Sequence, residues 1–281
     1  MSFSDKIVAF VDILGFKGMI ERAEAGGDPS LSTVLSYTAM LGTRDDVDRV
    51  RKGGIWCPTS PRIDGDLAFT LTQISDCVVA SVEASPVGAL NVVAHCWHAA
   101  MQLLQKGVAC RGYITRGSIH HADGQFVGTA YQRAYAQESQ VTAFRRDADE
   151  RGTPFIEVDP SVVDLIASCD DRCVQEMFDR CVATDGEVVA VFPFKRLAHS
   201  FIIGGFGPKF DADRERAGNQ HVRTLIHTLK ARVSANIDWS LPAAVRKAEH
   251  YLAALDRQLD VCDRTDETLT RLSHPIGQRE P

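Results

Sequence analysis

Two isolated carboxylates stand where the surrounding residues give them little company. In "KIVAFVDILGF" (Lys6–Phe16), Asp12 ends an apolar run, and Gly15 and Phe16 open the next stretch. In "DLAFTLTQISDCVVASVE" (Asp66–Glu83), Asp76 interrupts two β-rich runs. An unpaired charge beside apolar strand residues is costly unless a cation or a donor meets it. Two carboxylates on one edge of a sheet, helped by a backbone carbonyl, suit magnesium or manganese. A pair of such ions can activate an attacking oxygen and neutralise phosphate. Gly15 permits close backbone approach, and a helix beginning after it would turn free N–H groups toward a polyphosphate. The same residue types also serve as a helix cap and a turn, so residue type alone leaves both readings open.

Other candidates carry less. The eight cysteines show no CxxC pairing, which disfavours a zinc ribbon or thioredoxin-type redox site, and Cys169, Cys173 and Cys181 read as reduced thiols at helical spacing. His95/His98 and His120/His121 have no third ligand nearby in sequence and read as satisfied histidines. A net charge of −6 gives no support to a nucleic-acid partner. No run is long and apolar enough for a membrane span, and no signal peptide is recognised, so a cytoplasmic protein is expected.

The elements must bring Asp12 and Asp76 together. Lys6–Ile13 predicts a strand buried on both faces, followed by a helix from Gly15 to about Ala25. Ser30–Leu41 predicts a capped helix, and Arg44–Arg62 reads as a polar loop. The runs around Ile74-Ser75-Asp76 predict a hairpin. Val87, Leu90, Ala94, Trp97, Met101 and Leu104 form one helical stripe behind a Ser85-Pro86 start. "VACRGYITRGSIHH" returns as a strand, and Gly128 to about Thr142 as a helix. This order is that of a split βαβ, ferredoxin-like α+β fold, in which the first strand lies beside the hairpin. Downstream, Pro154–Val158 and "VVAVFPFK" predict strands, and Ser161–Ala167, Val222–Val233 and Leu241–Cys262 helices. The last carries a stripe from Val245 to Cys262 behind a Ser240 cap, for packing on the sheet or a dimer contact. The charged tail after Asp263 reads as loose. A division follows into a domain at 1–200 and a helical extension at 201–281.

Three blocks, "FVDILGF" (Phe10–Phe16), "QISDCVVAS" (Gln73–Ser81) and "RGYITRGSIHHADGQFVGTAYQRAYAQE" (Arg111–Glu138), resemble in order the signatures of class III nucleotidyl cyclases. More closely, they resemble the pyrimidine (uridylate/cytidylate) cyclases of the bacterial Pycsar anti-phage system. The resemblance covers about half the chain. It implies a palm-like catalytic domain with Asp12, Asp76 and the Ile13 carbonyl holding two Mn²⁺ or Mg²⁺ ions. Phe10, Gly15 and Phe16 would then line the nucleotide site, the Gly-Phe turn cradling phosphates.

Departures from the family matter equally. The Asn and Arg that orient ribose and stabilise the transition state in purine cyclases align with Gln132 and Ala136. Gln132 can still hydrogen-bond, whereas Ala136 brings no charge, leaving Arg111, Arg116 and Arg133 as candidates. The purine-reading positions fall at Thr72 and Gln125, short neutral groups compatible with a pyrimidine edge. The resemblance therefore implies a UTP (or CTP) cyclase for phage defence, a homodimer with shared active sites, and a separate effector that senses the cyclic nucleotide. A catalytically silent nucleotide-binding module on the same fold is the alternative.

Overall fold

The computed structural model describes residues 2–52, 67–198 and 210–273. Along the chain come β1 (Ser4–Ile13), α1 (Phe16–Glu24), α2 (Leu31–Ala39), α3 (Arg44–Arg51), β2 (Thr70–Ile74), β3 (Cys77–Glu83) and α4 (Pro86–Leu104). There follow β4 (Cys110–Ala122), β5 (Gln125–Val127), α5 (Thr129–Glu138), β6 (Ile156–Val158), α6 (Pro160–Ala167) and α7 (Arg172–Cys181). The chain ends with β7 (Val182–Asp185), β8 (Val188–Val191), α8 (Ala212–Asn236) and α9 (Pro242–Ser273). The class is α+β. The sheet order is β2-β3-β1-β4-β6-β8-β7, with β5 paired to β4 alone. Its first four strands are antiparallel in the order 2-3-1-4, the arrangement compatible with a split βαβ unit. β6 then joins β4 in parallel and makes the sheet mixed.

β1 lies at the centre because both of its faces are apolar. Ile7, Ala9, Val11 and Ile13 enter the core that α4 covers with Leu90, Val93 and Leu103. Val8 and Phe10 point the other way, against Ala130 and Ala134 of α5. Helix starts follow local chemistry. The Ser30 hydroxyl accepts from Thr33 N–H to open α2, and Ser85 accepts from Gly88 N–H to open α4. A further core joins Phe155, Phe192 and Phe194 to Ile226 and Leu229 of α8 and Tyr251, Ala254 and Leu255 of α9. The α9 stripe thus packs partly on α8 and partly on the loops and strands beyond β4.

Several elements differ from expectation. Residues 44–51 form α3 rather than loop, closed by a reciprocal capping box between Thr43 and Asp46. The rest of that expected loop, through Arg62, lies outside the described residues, as does Cys57. α7 and β7 went unpredicted. α9 continues past Asp263 to Ser273, because Arg223 ion-pairs with Asp263 and Asp266 while Thr265 and Leu269 are buried. Ser240 does not cap α9; its N–H and hydroxyl both donate to Asp238. Cys173 is disulfide-bonded rather than reduced, whereas Cys169 and Cys181 keep their thiols. No helix among the described residues is long and apolar enough to cross a membrane.

Candidate active site

Asp12 is placed by register. It sits opposite Cys77 of β3 and opposite Arg111 of β4, on the sheet face that α5 covers. Asp76 occupies the β2–β3 turn beside Ser75, whose φ is 54°. Its carbonyl accepts the Ile13 N–H at 3.0 Å, fastening the turn to the end of β1. The two carboxylates consequently lie near enough for each to feel the other's charge. The Asp12 pKa is raised to about 7, first by burial, then by the charges of Asp76 and Glu138, against an opposing pull from Arg111. A carboxyl pair brought together in this way is a donor set for a hard divalent cation, which would take the place of the Asp12 proton.

Among the described residues no group of three or more His, Cys, Asp or Glu side chains forms a metal site. Asp12 and Asp76 offer two carboxylates, so a cation held here would need further oxygens from outside the chain.

The turn beyond Asp12 is open. Gly15 is left-handed, with φ 77°, and a Cβ added there would meet nothing within 4 Å. α1 begins with no side-chain cap and no acidic residue in its first turn, so its leading N–H groups have no side-chain competitor. Leu14, Gly15 and Gly18 line a cavity of about 600 Å³ closed by Gly107–Ala109, the end of α8 and the start of α9. Phe16 is partly buried against the core, so its backbone rather than its ring faces the turn.

Arg111 is nearly buried. It forms an ion pair with Glu138 and donates to the Gly152 carbonyl at 3.1 Å. Gly152 is required there, since φ is +69° and a Cβ would lie 2.5 Å from Arg111 Nη1. Arg111, Glu138, Asp12 and Asp76 thus form one charged cluster.

The remaining expected residues are not at this cluster. Arg116 lies opposite Ile7, on the other sheet face from Asp12, and ion-pairs with Asp5 at 2.7 Å. Phe10 is buried beneath α5, edge-on to Tyr131 and Tyr135, which makes it a core ring in this chain. Gln125 and Gln132 are exposed, at the β5 and early α5 end where Ala130 packs on Gly117. Arg133 is exposed too. Thr72 is engaged in a small network in which its hydroxyl meets His121 Nε2 at 2.9 Å, while Nδ1 meets the Ser81 hydroxyl at 2.8 Å. Burial, then Lys6 and His120, lower the His121 pKa to about 4, so the ring is neutral. His95 is likewise a core histidine, bonded to the Leu41 carbonyl at 3.0 Å.

Sequence reasoning missed Glu138 and Lys247, whereas His121 is the satisfied histidine it was read as. Glu138 became visible only through the β4 register that sets Arg111 beside Asp12. Lys247 on α9 is half-buried and close enough to Arg111, Glu138 and Asp12 to feel their charges, a contact between distant segments with no local signal. No protein-family model matches the chain, and no curated protein matches it.

Proposed function

We propose that this chain is a metal-dependent nucleotide cyclase that converts UTP, or alternatively CTP, to its 3′,5′-cyclic monophosphate and pyrophosphate. The observation that carries the reading is that Asp12 and Asp76 are brought together at the sheet rim, beside an uncapped helix N-terminus and an open glycine turn. The residues fit a cation pair held by Asp12, Asp76 and the Ile13 backbone. When bound, two divalent ions supply Lewis acidity to the ribose 3′-hydroxyl and neutralise phosphate charge. The chain's own contribution is to hold both carboxylates near one another and to turn N–H donors toward the phosphates from the β1–α1 turn. Following the resemblance, base reading would fall to Thr72 and Gln125, away from the Asp12 cluster, with Thr72 bonded to a neutral His121.

In keeping with the sequence resemblance, the reading extends to a cytoplasmic homodimer with shared sites, in which Gln132 serves the partner's nucleotide, and to second-messenger synthesis in phage defence. One observation favours a second reading, a silent nucleotide-binding module. Ala136 carries no charge, and Arg111 is already held by Glu138.

Incubation with each of the four nucleoside triphosphates and Mn²⁺, with products identified by mass, tests both readings. The expected result is a cyclic pyrimidine nucleotide from the wild type and none from Asp12→Ala or Asp76→Ala. Purine-only product would overturn the base assignment, and nucleotide binding without pyrophosphate release would favour the silent module.

A further inference from the structure

With Ala136 uncharged and Arg111 paired to Glu138, the other end of the chain brings a cation near the site. α9 runs close to the site: Tyr251 lies beside Cys110, the residue before Arg111 and the register partner of Ile13, and His250 Nε2 meets Glu150 at 2.8 Å. Lys247 lies one helical turn before Tyr251 and on the same face. It lines the cavity of about 600 Å³ together with Leu14 and Gly15 of the β1–α1 turn. It also borders the neighbouring cleft of Glu150, Arg151 and Gly152, so it stands between the turn and the Arg111 cluster. Unlike Arg111, which is spent on Glu138, Lys247 has no hydrogen-bond or ion-pair partner among the described residues. A half-buried ammonium without a partner, beside an open turn of backbone donors, is placed for an anion.

We propose that Lys247 binds the β- and γ-phosphates of the nucleotide, and afterwards the pyrophosphate, from across the β1–α1 turn. The proposal rests on the cyclase reading, since it takes the Asp12 site and the Gly15 turn as the polyphosphate site. The ligand class is a metal-bound polyphosphate irrespective of base. A compact ammonium on a flexible stem suits a leaving group whose charge rises as it departs. α8 and α9 then have a task beyond covering the core: they carry this lysine to the site.

The test uses the full chain and inorganic pyrophosphate as the probe, titrated calorimetrically in the presence of Mn²⁺, with Lys247→Ala, Lys247→Arg and Asp12→Asn. Thermal melts establish that each variant is folded. Support would be a loss of at least about tenfold in pyrophosphate affinity for Lys247→Ala, with Lys247→Arg returning to within a few-fold of wild type. Wild-type affinity in Lys247→Ala, with binding abolished in Asp12→Asn, would overturn the lysine's role and leave the cyclase reading standing. A wild-type protein with no Mn²⁺-dependent pyrophosphate affinity would overturn both.

Discussion

At the scale of single residues, the raised pKa of Asp12 is the feature with measurable consequences. Asp12 titrates near 7 when folded against an ordinary 3.8. Between those values the folded chain binds a proton that the unfolded chain lacks, so metal-free stability falls as pH rises through that window. Melting temperatures across pH 5 to 8 should show this slope in the wild type and lose it in Asp12→Asn. At pH 8 the Asp12→Asn variant should melt about 2 °C or more above metal-free wild type, because it relieves a carboxylate repulsion, and should gain nothing from Mn²⁺. Since a cation must displace the proton, Mn²⁺ binding at pH 6 should release close to one proton and tighten toward pH 8, readable by calorimetry in buffers of different ionisation enthalpy. Asp12 and Asp76 were legible because each interrupts an apolar pattern. Arg116 was misleading because closeness in sequence to Arg111 says nothing of strand alternation: an odd number of residues between two positions keeps one face, and the step from 111 to 116 changes it.

At the scale of elements, what the sequence displayed was periodicity, and what it concealed was anything held by polar contacts. β1, the β2–β3 hairpin and α4 show alternation or a 3.6-residue stripe and appear where expected. α3 has only Val47 and Val50 on its inner side and is specified by the Thr43–Asp46 capping box instead. The end of α9 was hidden by charges that turn out to be partners of Arg223. The loop carrying Gly152 has no regular pattern at all, yet it fixes Arg111. Gly152→Ala should therefore do more than its backbone strain of about 1 kcal/mol, because the new Cβ collides with the guanidinium. Urea denaturation should report a loss of about 2 kcal/mol or more, and the Arg111–Glu138 pair should shift, altering Mn²⁺ affinity at the Asp12 site. Gly15→Ala is the contrast. Its Cβ meets nothing, so stability should fall by only about 1 kcal/mol, and polyphosphate binding should suffer through the altered turn.

At the scale of the whole molecule, the question is whether residues after 200 form an appendage or part of one folded unit. The split βαβ portion shows itself in the first half of the chain, but nothing in the sequence pairs Phe155, Phe192 and Phe194 with a helix hairpin some sixty residues on. In the structure those three rings, with Leu104 and Val141, share a single core with Leu255, Ala254 and Tyr251, while Tyr251 also reaches Cys110 at the edge of the site. Removing α8 and α9 would expose that aromatic surface and take Lys247 away together with its anchors. A chain ending at residue 209 should accordingly aggregate or melt without cooperativity and bind a hydrophobic dye, rather than persist as a smaller stable domain. The milder probe is Leu255→Ala, fully buried in the same core, which should cost about 2–5 kcal/mol in urea denaturation. Because one core serves both parts, that loss should appear as a single transition shifted as a whole. Two separated transitions, with the earlier confined to the helices, would mean that α8 and α9 unfold on their own, and the site's lysine would then be delivered by a detachable element.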